Sequence, residues 1–153
     1  MRGEDYRYGM SSQKPLELIL ARNLLSSIST PAFLVGEQGA LLFYNEAAAA
    51  MLGRHFEESG RLAAAEWTRD FGPFDEDGEP IPYDDLPATI AVRAGQPYHG
   101  KFRVCTAEGM SDVQASAIPI VGPGGSSGAI VFFWRMVQVH TGETVKAQQE
   151  ERA

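Results

Sequence analysis

Residues 31–53 read PAFLVGEQGALLFYNEAAAAMLG, and they spell strand, turn, strand and capped helix in one short run. Phe33-Leu34-Val35 is a brief apolar run, and Leu41 to Tyr44 is a second one rich in strand formers. Between them, Gly36-Glu37-Gln38-Gly39 forms a turn with glycine at both ends, where a positive φ costs least. Asn45 stands directly before Glu46-Ala47-Ala48-Ala49-Ala50-Met51-Leu52, a run of strong helix formers. Its short polar side chain is placed to accept from backbone N–H groups of the first turn, as an N-cap does. Gly53 falls where a left-handed residue closes a helix. A hairpin feeding straight into a helix is local grammar for an α+β sensor module rather than for an enzyme.

Upstream, residues 15–29 are expected to form an N-terminal amphipathic helix. Pro15 can open it, and Leu16, Ile19, Leu20, Leu24 and Ile28 recur at helical spacing. Ser29-Thr30-Pro31 ends it, because the residue before proline disfavours helix. Residues 1–14 are polar and read as a disordered tail.

Downstream, Ala63 to Trp67 reads as a short helix that Phe71-Gly72-Pro73-Phe74 breaks. FDEDGEPIPYDDLP, residues 74–87, is an acidic, proline-punctuated loop. Asp84 or Asp85 is expected to cap a helix that has Pro87 in its first turn and Gly95 at its close. Lys101 to Cys105, Asp112 to Ile120 and Gly128 to Val137 then read as three strands. Residues 140–153 read as a polar C-terminal tail or linker helix.

Two strands joined by helices to three more imply one five-stranded antiparallel sheet with helices over one face. Ala129 to Trp134 is apolar on both alternating faces, whereas a strand with one wet face alternates. Both faces are therefore expected to be covered. The inner helices cover one; the N-terminal helix, a second subunit or both cover the other.

Length and composition exclude several classes. A chain of 153 residues with 44% hydrophobic and 22% charged residues is ordinary for one soluble domain with tails. A net charge of -7, with no two basic residues adjacent, argues against a nucleic-acid partner, since phosphates need clustered Lys and Arg. One cysteine, Cys105, excludes an internal disulfide and any cysteine-rich metal site. The first residues lack the apolar core of a signal peptide, and no run is long enough for a transmembrane helix, so no membrane partner is expected. A cytoplasmic location follows as the expectation.

The residues from about Leu18 to Met136 resemble a PAS domain of the bacterial signalling type. The resemblance is carried by Gly39-x-Leu41-x-Phe43-x-Asn45, Ala47-Ala48, Leu52-Gly53 and Asp77-Gly78-x-Pro80-x-Pro82. It continues through Asp85-Leu86-Pro87, Ala91-x-x-Ala94-Gly95, Val113-x-Ala115-x-Ala117-x-Pro119-Ile120 and Gly128-Ala129-Ile130. It implies an α+β fold over residues 30–139, with a five-stranded antiparallel sheet and helices cupping a pocket on its inner face. It also implies sensing or dimerisation rather than catalysis, in the service of an effector such as a kinase, cyclase, phosphatase or transcription regulator. Gly36 stands where the family often has Asp, and Arg135-Met136-Val137 stand where it often has an Asp-Ile-Thr-like triad.

Candidate chemistry is sparse. Gly124 to Gly128 matches a nucleophile-elbow pattern, but a strand follows it where that motif needs a helix. Asp75-x-Asp77-Gly78 resembles part of a calcium loop whose first position would be Pro73 and twelfth Asp84, so a solvated loop is expected and no metal site. His55, His99 and His140 all lie outside the helix that carries the iron ligand in haem-binding relatives, and Cys105 is not in an Asn-Cys-Arg-like run. Haem and flavin are therefore unsupported and the cofactor is unknown.

The pocket candidates are Phe33, Phe43, Leu52, Phe56, Trp67, Ile90, Phe102, Ala115, Ala117 and Phe132; they either line a site for a small apolar ligand or simply fill the core. The homodimer-interface candidates are Leu16, Ile19, Leu20, Leu24 and Phe133. Asn45, Gly39 and Gly53 have structural roles. Three functions result: a ligand-binding and dimerising sensory module, a pure interaction module with a filled core, or a small enzyme. For the enzyme, Asp84, Asp85, His99 and Cys105 are the only loose candidates.

Overall fold

The computed structural model describes residues 16–136, apart from the side chains of residues 58 and 59. The expectations for residues 1–14, for residues 140–153 and for His140 lie outside that range. Along the described chain come α1 (Leu16–Leu25), β1 (Ala32–Gly36), β2 (Leu41–Tyr44), α2 (Glu46–Leu52) and the single turn α3 (Phe56–Ser59). Then follow α4 (Ala64–Asp70), a 3-10 turn (Tyr83–Asp85), α5 (Pro87–Ala94), β3 (Tyr98–Thr106), β4 (Gly109–Gly122) and β5 (Gly125–Arg135). The strands form one antiparallel sheet in the order β2-β1-β5-β4-β3. The opening hairpin thus zips onto the last strand, with Phe33 opposite Val131, and the helices between them close over one face.

The hairpin turn uses only one of its glycines as the sequence suggests. Gly39 has φ +88, while Gly36 is not in the positive-φ region. A Cβ on Gly39 would lie 2.6 Å from Tyr83 Cε1, so both conformation and space require glycine there.

Several boundaries differ from expectation, each for a physical reason. β3 begins at Tyr98 and β4 runs on to Gly122, because glycine reads as a strand breaker whereas Gly100 pairs with Ala115 and Gly122 with Gly125 in the ladder. Helix α1 stops at Leu25; the Ser26 and Ser27 hydroxyls bond back to the Arg22 and Asn23 carbonyls and compete with helix propagation. Neither Asp84 nor Asp85 caps α5. They form the preceding 3-10 turn, and Leu86 is the N-cap with Pro87 behind it. The α5 close is as read, with Gly95 left-handed and its N–H on the Ala91 carbonyl.

The sheet separates two cores. On the inner face, Phe33, Val35, Val113, Ala115, Ala117, Ala129, Val131 and Phe133 pack with Leu52, Trp67, Phe71, Ala88 and Ala91 from the helices. On the outer face, Ala32, Leu34 and Leu42 pack with Leu18, Ala21 and Leu25 of α1, joined by Ile120, Ile130 and Phe132. Alternation along β5 therefore puts Phe133 inside and Phe132 outside. The sequence-based assignment of Phe132 to the pocket and Phe133 to an outer interface is reversed. An unbroken apolar run erases the period-two phase, and a slip of one residue exchanges the faces.

Candidate functional site

Asn45 joins the elements around both cores. Its Oδ1 accepts from Ala48 N at 3.0 Å, which caps α2, and from Ala32 N at 3.1 Å, which fixes the start of β1. Its Nδ2 donates to the carbonyls of Leu25, Ile28 and Thr30 at 3.1, 3.4 and 2.9 Å, which holds the segment leaving α1. The side chain is buried, so these partners replace water that would otherwise be lost. Gly53 closes α2 with φ +79 and its N–H on the Ala49 carbonyl.

Between the sheet and α5 lies a cavity of about 40 Å³. Phe33, Leu52, Trp67, Phe102 and Ala115 line it, together with Phe71, Leu86, Pro87, Ala88, Val113, Val131 and Phe133. Trp67 is held there by its indole N–H, which donates to the Gly39 carbonyl at 2.8 Å. That indole N–H is already paired and the walls offer no other side-chain polar group, so a water would lack the two to four partners it needs, and the space stays dry. It is far below the roughly 150 Å³ that holds a benzene ring. Any metabolite-sized occupant requires the lining side chains to move.

The other expected pocket residues fall elsewhere. Ala117 is in the inner core but off the cavity wall. Phe56 packs at the edge of that core, with its ring 5.3 Å from both Phe43 and Tyr44. Phe43 packs with the outer cluster under the Arg22 guanidinium, 4.5 Å from its ring centre. Ile90 is half-buried and touches neither core cluster, because Ala88 and Ala91 are the α5 residues that face the sheet. Sequence reasoning missed Val104, Val113 and Val131 on the wall. Strand parity anchored on Ala115 would have found Val113.

Helix α1 is apolar on two sides. Leu18, Ala21 and Leu25 are buried against the sheet. Leu16, Ile19, Leu20 and Leu24 face the opposite way and are 66%, 45%, 57% and 57% exposed. The helix is tied to the far end of the sheet by Ser127 Oγ, which donates to Glu17 Oε2 at 3.1 Å. The outer sheet face beyond α1 carries a shallow groove bordered by Thr30, Pro97, His99, Ser116, Ile118, Phe132 and Trp134.

The loose catalytic candidates do not converge. Asp84 and Asp85 are exposed beside α5, with Asp84 paired to Arg93 at 3.0 Å. His99 shares a 2.7 Å contact with Ser116 across the β3–β4 ladder. Cys105 is exposed about 20 Å further along β3 at the usual strand rise. Asp75 spends its Oδ1 on the backbone N–H groups of Asp77 and Glu79, folding its own turn. Among the described residues, no helix is long and apolar enough to cross a membrane.

No family model matches the chain, and no curated protein matches it either. Solved structures do. The PAS domain of BvgS from Bordetella pertussis aligns at TM-score 0.56 and 15% identity, covering 88% of this chain and 98% of that one. The PAS domain of nitrogen regulation protein NR(II) from Vibrio parahaemolyticus aligns at TM-score 0.55 and 12% identity, covering 76% and 98%. A phage VqmA, solved as its complex with DPO, aligns at TM-score 0.60 and 10% identity, covering 89% of this chain and 59% of that one. The five-stranded antiparallel sheet, its strand order and its helical cover are thus those of these domains, and this chain has the PAS fold.

Proposed function

We propose that this chain is a non-catalytic sensory or signal-transduction module of the cytoplasm that works as a homodimer and passes a signal to a partner effector. One observation carries the reading: the stripe of Leu16, Ile19, Leu20 and Leu24 on the solvent side of α1. Full burial of a leucine is worth about 1.5–3 kcal/mol, so covering four half-exposed side chains contributes several kcal/mol to association. A two-fold axis beside α1 lets the same stripe cover itself in a second copy. The inner face of the same helix rests on β1, β4 and β5, so a change in sheet packing reaches the interface directly.

Light scattering after size exclusion tests this. The wild type is expected at twice the chain mass, and Leu20→Glu with Leu24→Glu at the chain mass with an unchanged circular dichroism spectrum. A wild type that stays monomeric at high concentration contradicts the dimer.

The dry cavity supports a second element of the reading, a small and wholly apolar ligand that enters between the sheet and α5 as the lining side chains move apart. Its walls supply burial but no hydrogen bond, so polar metabolites are disfavoured. Native mass spectrometry after mild purification checks it. A clean apo mass, with no thermal shift across an apolar panel, leaves the interaction module with a filled core.

A further inference from the structure

Apart from the cavity and the α1 face, one group of side chains among the described residues brings ion-binding atoms together. Glu46 at the start of α2, His55 in the turn after it and Glu57 in α3 each place one ligand atom within 4.8 Å of the other two. His55 Nδ1 is 3.5 Å from Glu46 Oε1. The local chain explains the convergence: the left-handed Gly53 ends α2 and turns the backbone, so His55 comes back to the first residue of the same helix.

A zinc-like ion bonds imidazole nitrogen and carboxylate oxygen at about 2.0–2.2 Å, which sets neighbouring donors about 3.3 Å apart. Exposed side chains reach that spacing from 4.8 Å by rotamer adjustment alone. Two carboxylates brought this close repel each other, and a divalent cation between them turns that cost into attraction. One imidazole with two carboxylates suits a first-row divalent transition ion. It lacks the thiolates that select Cu(I) and the six to eight oxygens that Ca²⁺ takes.

We propose that Glu46, His55 and Glu57 bind such an ion, with Zn²⁺ as its representative and water completing the coordination. The site brackets Phe56, whose ring packs on Phe43 and Tyr44 and lies 5.7 Å from the Arg22 guanidinium of α1. An ion bound on both sides of Phe56 fixes the turn that carries this contact. The proposal stands independently of the dimer and of the cavity ligand.

Titration calorimetry of the full chain with zinc chloride, after dialysis against EDTA, tests it. One saturable site per chain is expected. His55→Ala and Glu57→Gln each abolish it, while His99→Ala and Cys105→Ser leave it intact. The variants' metal-free circular dichroism spectra match the wild type, because all three ligands are exposed, so a lost heat reports ligation and not unfolding. Absence of a saturable site overturns the proposal. So does zinc binding that survives His55→Ala or Glu57→Gln, or that disappears with His99→Ala or Cys105→Ser.

Discussion

Asn45 makes five polar contacts through one buried amide, two accepted at Oδ1 and three carbonyls sharing the two hydrogens of Nδ2. Asn45→Ala strands the Ala32 N–H and the carbonyls leaving α1, at about 1–3 kcal/mol for each buried group left unpaired. Urea denaturation is expected to show a loss of about 3–5 kcal/mol with little change in slope. Asn45→Asp keeps the cap but turns an anion toward three carbonyls, and it is expected to be at least as destabilising. The cap was legible, since Asn stands before a run of helix formers. The reach of Nδ2 back to Leu25 and Thr30 was not, because sequence spacing says nothing about which loop carbonyls fold over a side chain. Phe132 and Phe133 show the same limit. Phe133→Ala is expected to cost about 3–5 kcal/mol, the range for a buried phenylalanine, and Phe132→Ala distinctly less. Equal costs in denaturation would contradict the assigned faces.

At the scale of elements, α1 holds the clearest contrast. Leu25 is fully buried and Leu24, its neighbour, is 57% exposed. Below the concentration at which chains associate, Leu25→Ala is expected to cost about 2–5 kcal/mol and Leu24→Ala no more than about 0.5 kcal/mol. At higher concentration Leu24→Ala is expected to weaken the proposed association instead. The wider stripe of Leu16, Ile19, Leu20 and Leu24 was legible from helical spacing. The narrower one, Leu18, Ala21 and Leu25, was hidden because its middle member is only alanine. In α5 a similar effect misplaced Ile90. The residues that meet the sheet are the small Ala88 and Ala91, which let the helix approach Ala115 and Ala117 closely, so size misleads where close packing decides.

For the whole molecule, the hairpin of residues 32–44 and the ladder of residues 98–135 form one sheet with two cores, and among the described residues α1 carries a stripe of four exposed apolar side chains. The sheet and its antiparallel pairing followed from strand patterning; the outer face is covered by α1 only in part, with Ile118 and Trp134 left exposed. The state of the inner cavity did not, because a strand pattern gives the walls and not the space between them. Ala115→Val adds two methyl groups to a wall of a cavity of about 40 Å³. It is expected to change stability by less than about 1.5 kcal/mol and to remove any thermal shift that an apolar compound gives the wild type. A shift that persists undiminished places the compound outside the cavity. The central claim is that α1 meets its own copy. It is tested most directly by pulsed electron spin resonance on Ser26→Cys, spin-labelled at the flank of the stripe in a Cys105→Ser background. Helices packed about 8–10 Å apart predict a defined inter-copy distance below about 30 Å. No dipolar coupling between copies would contradict it.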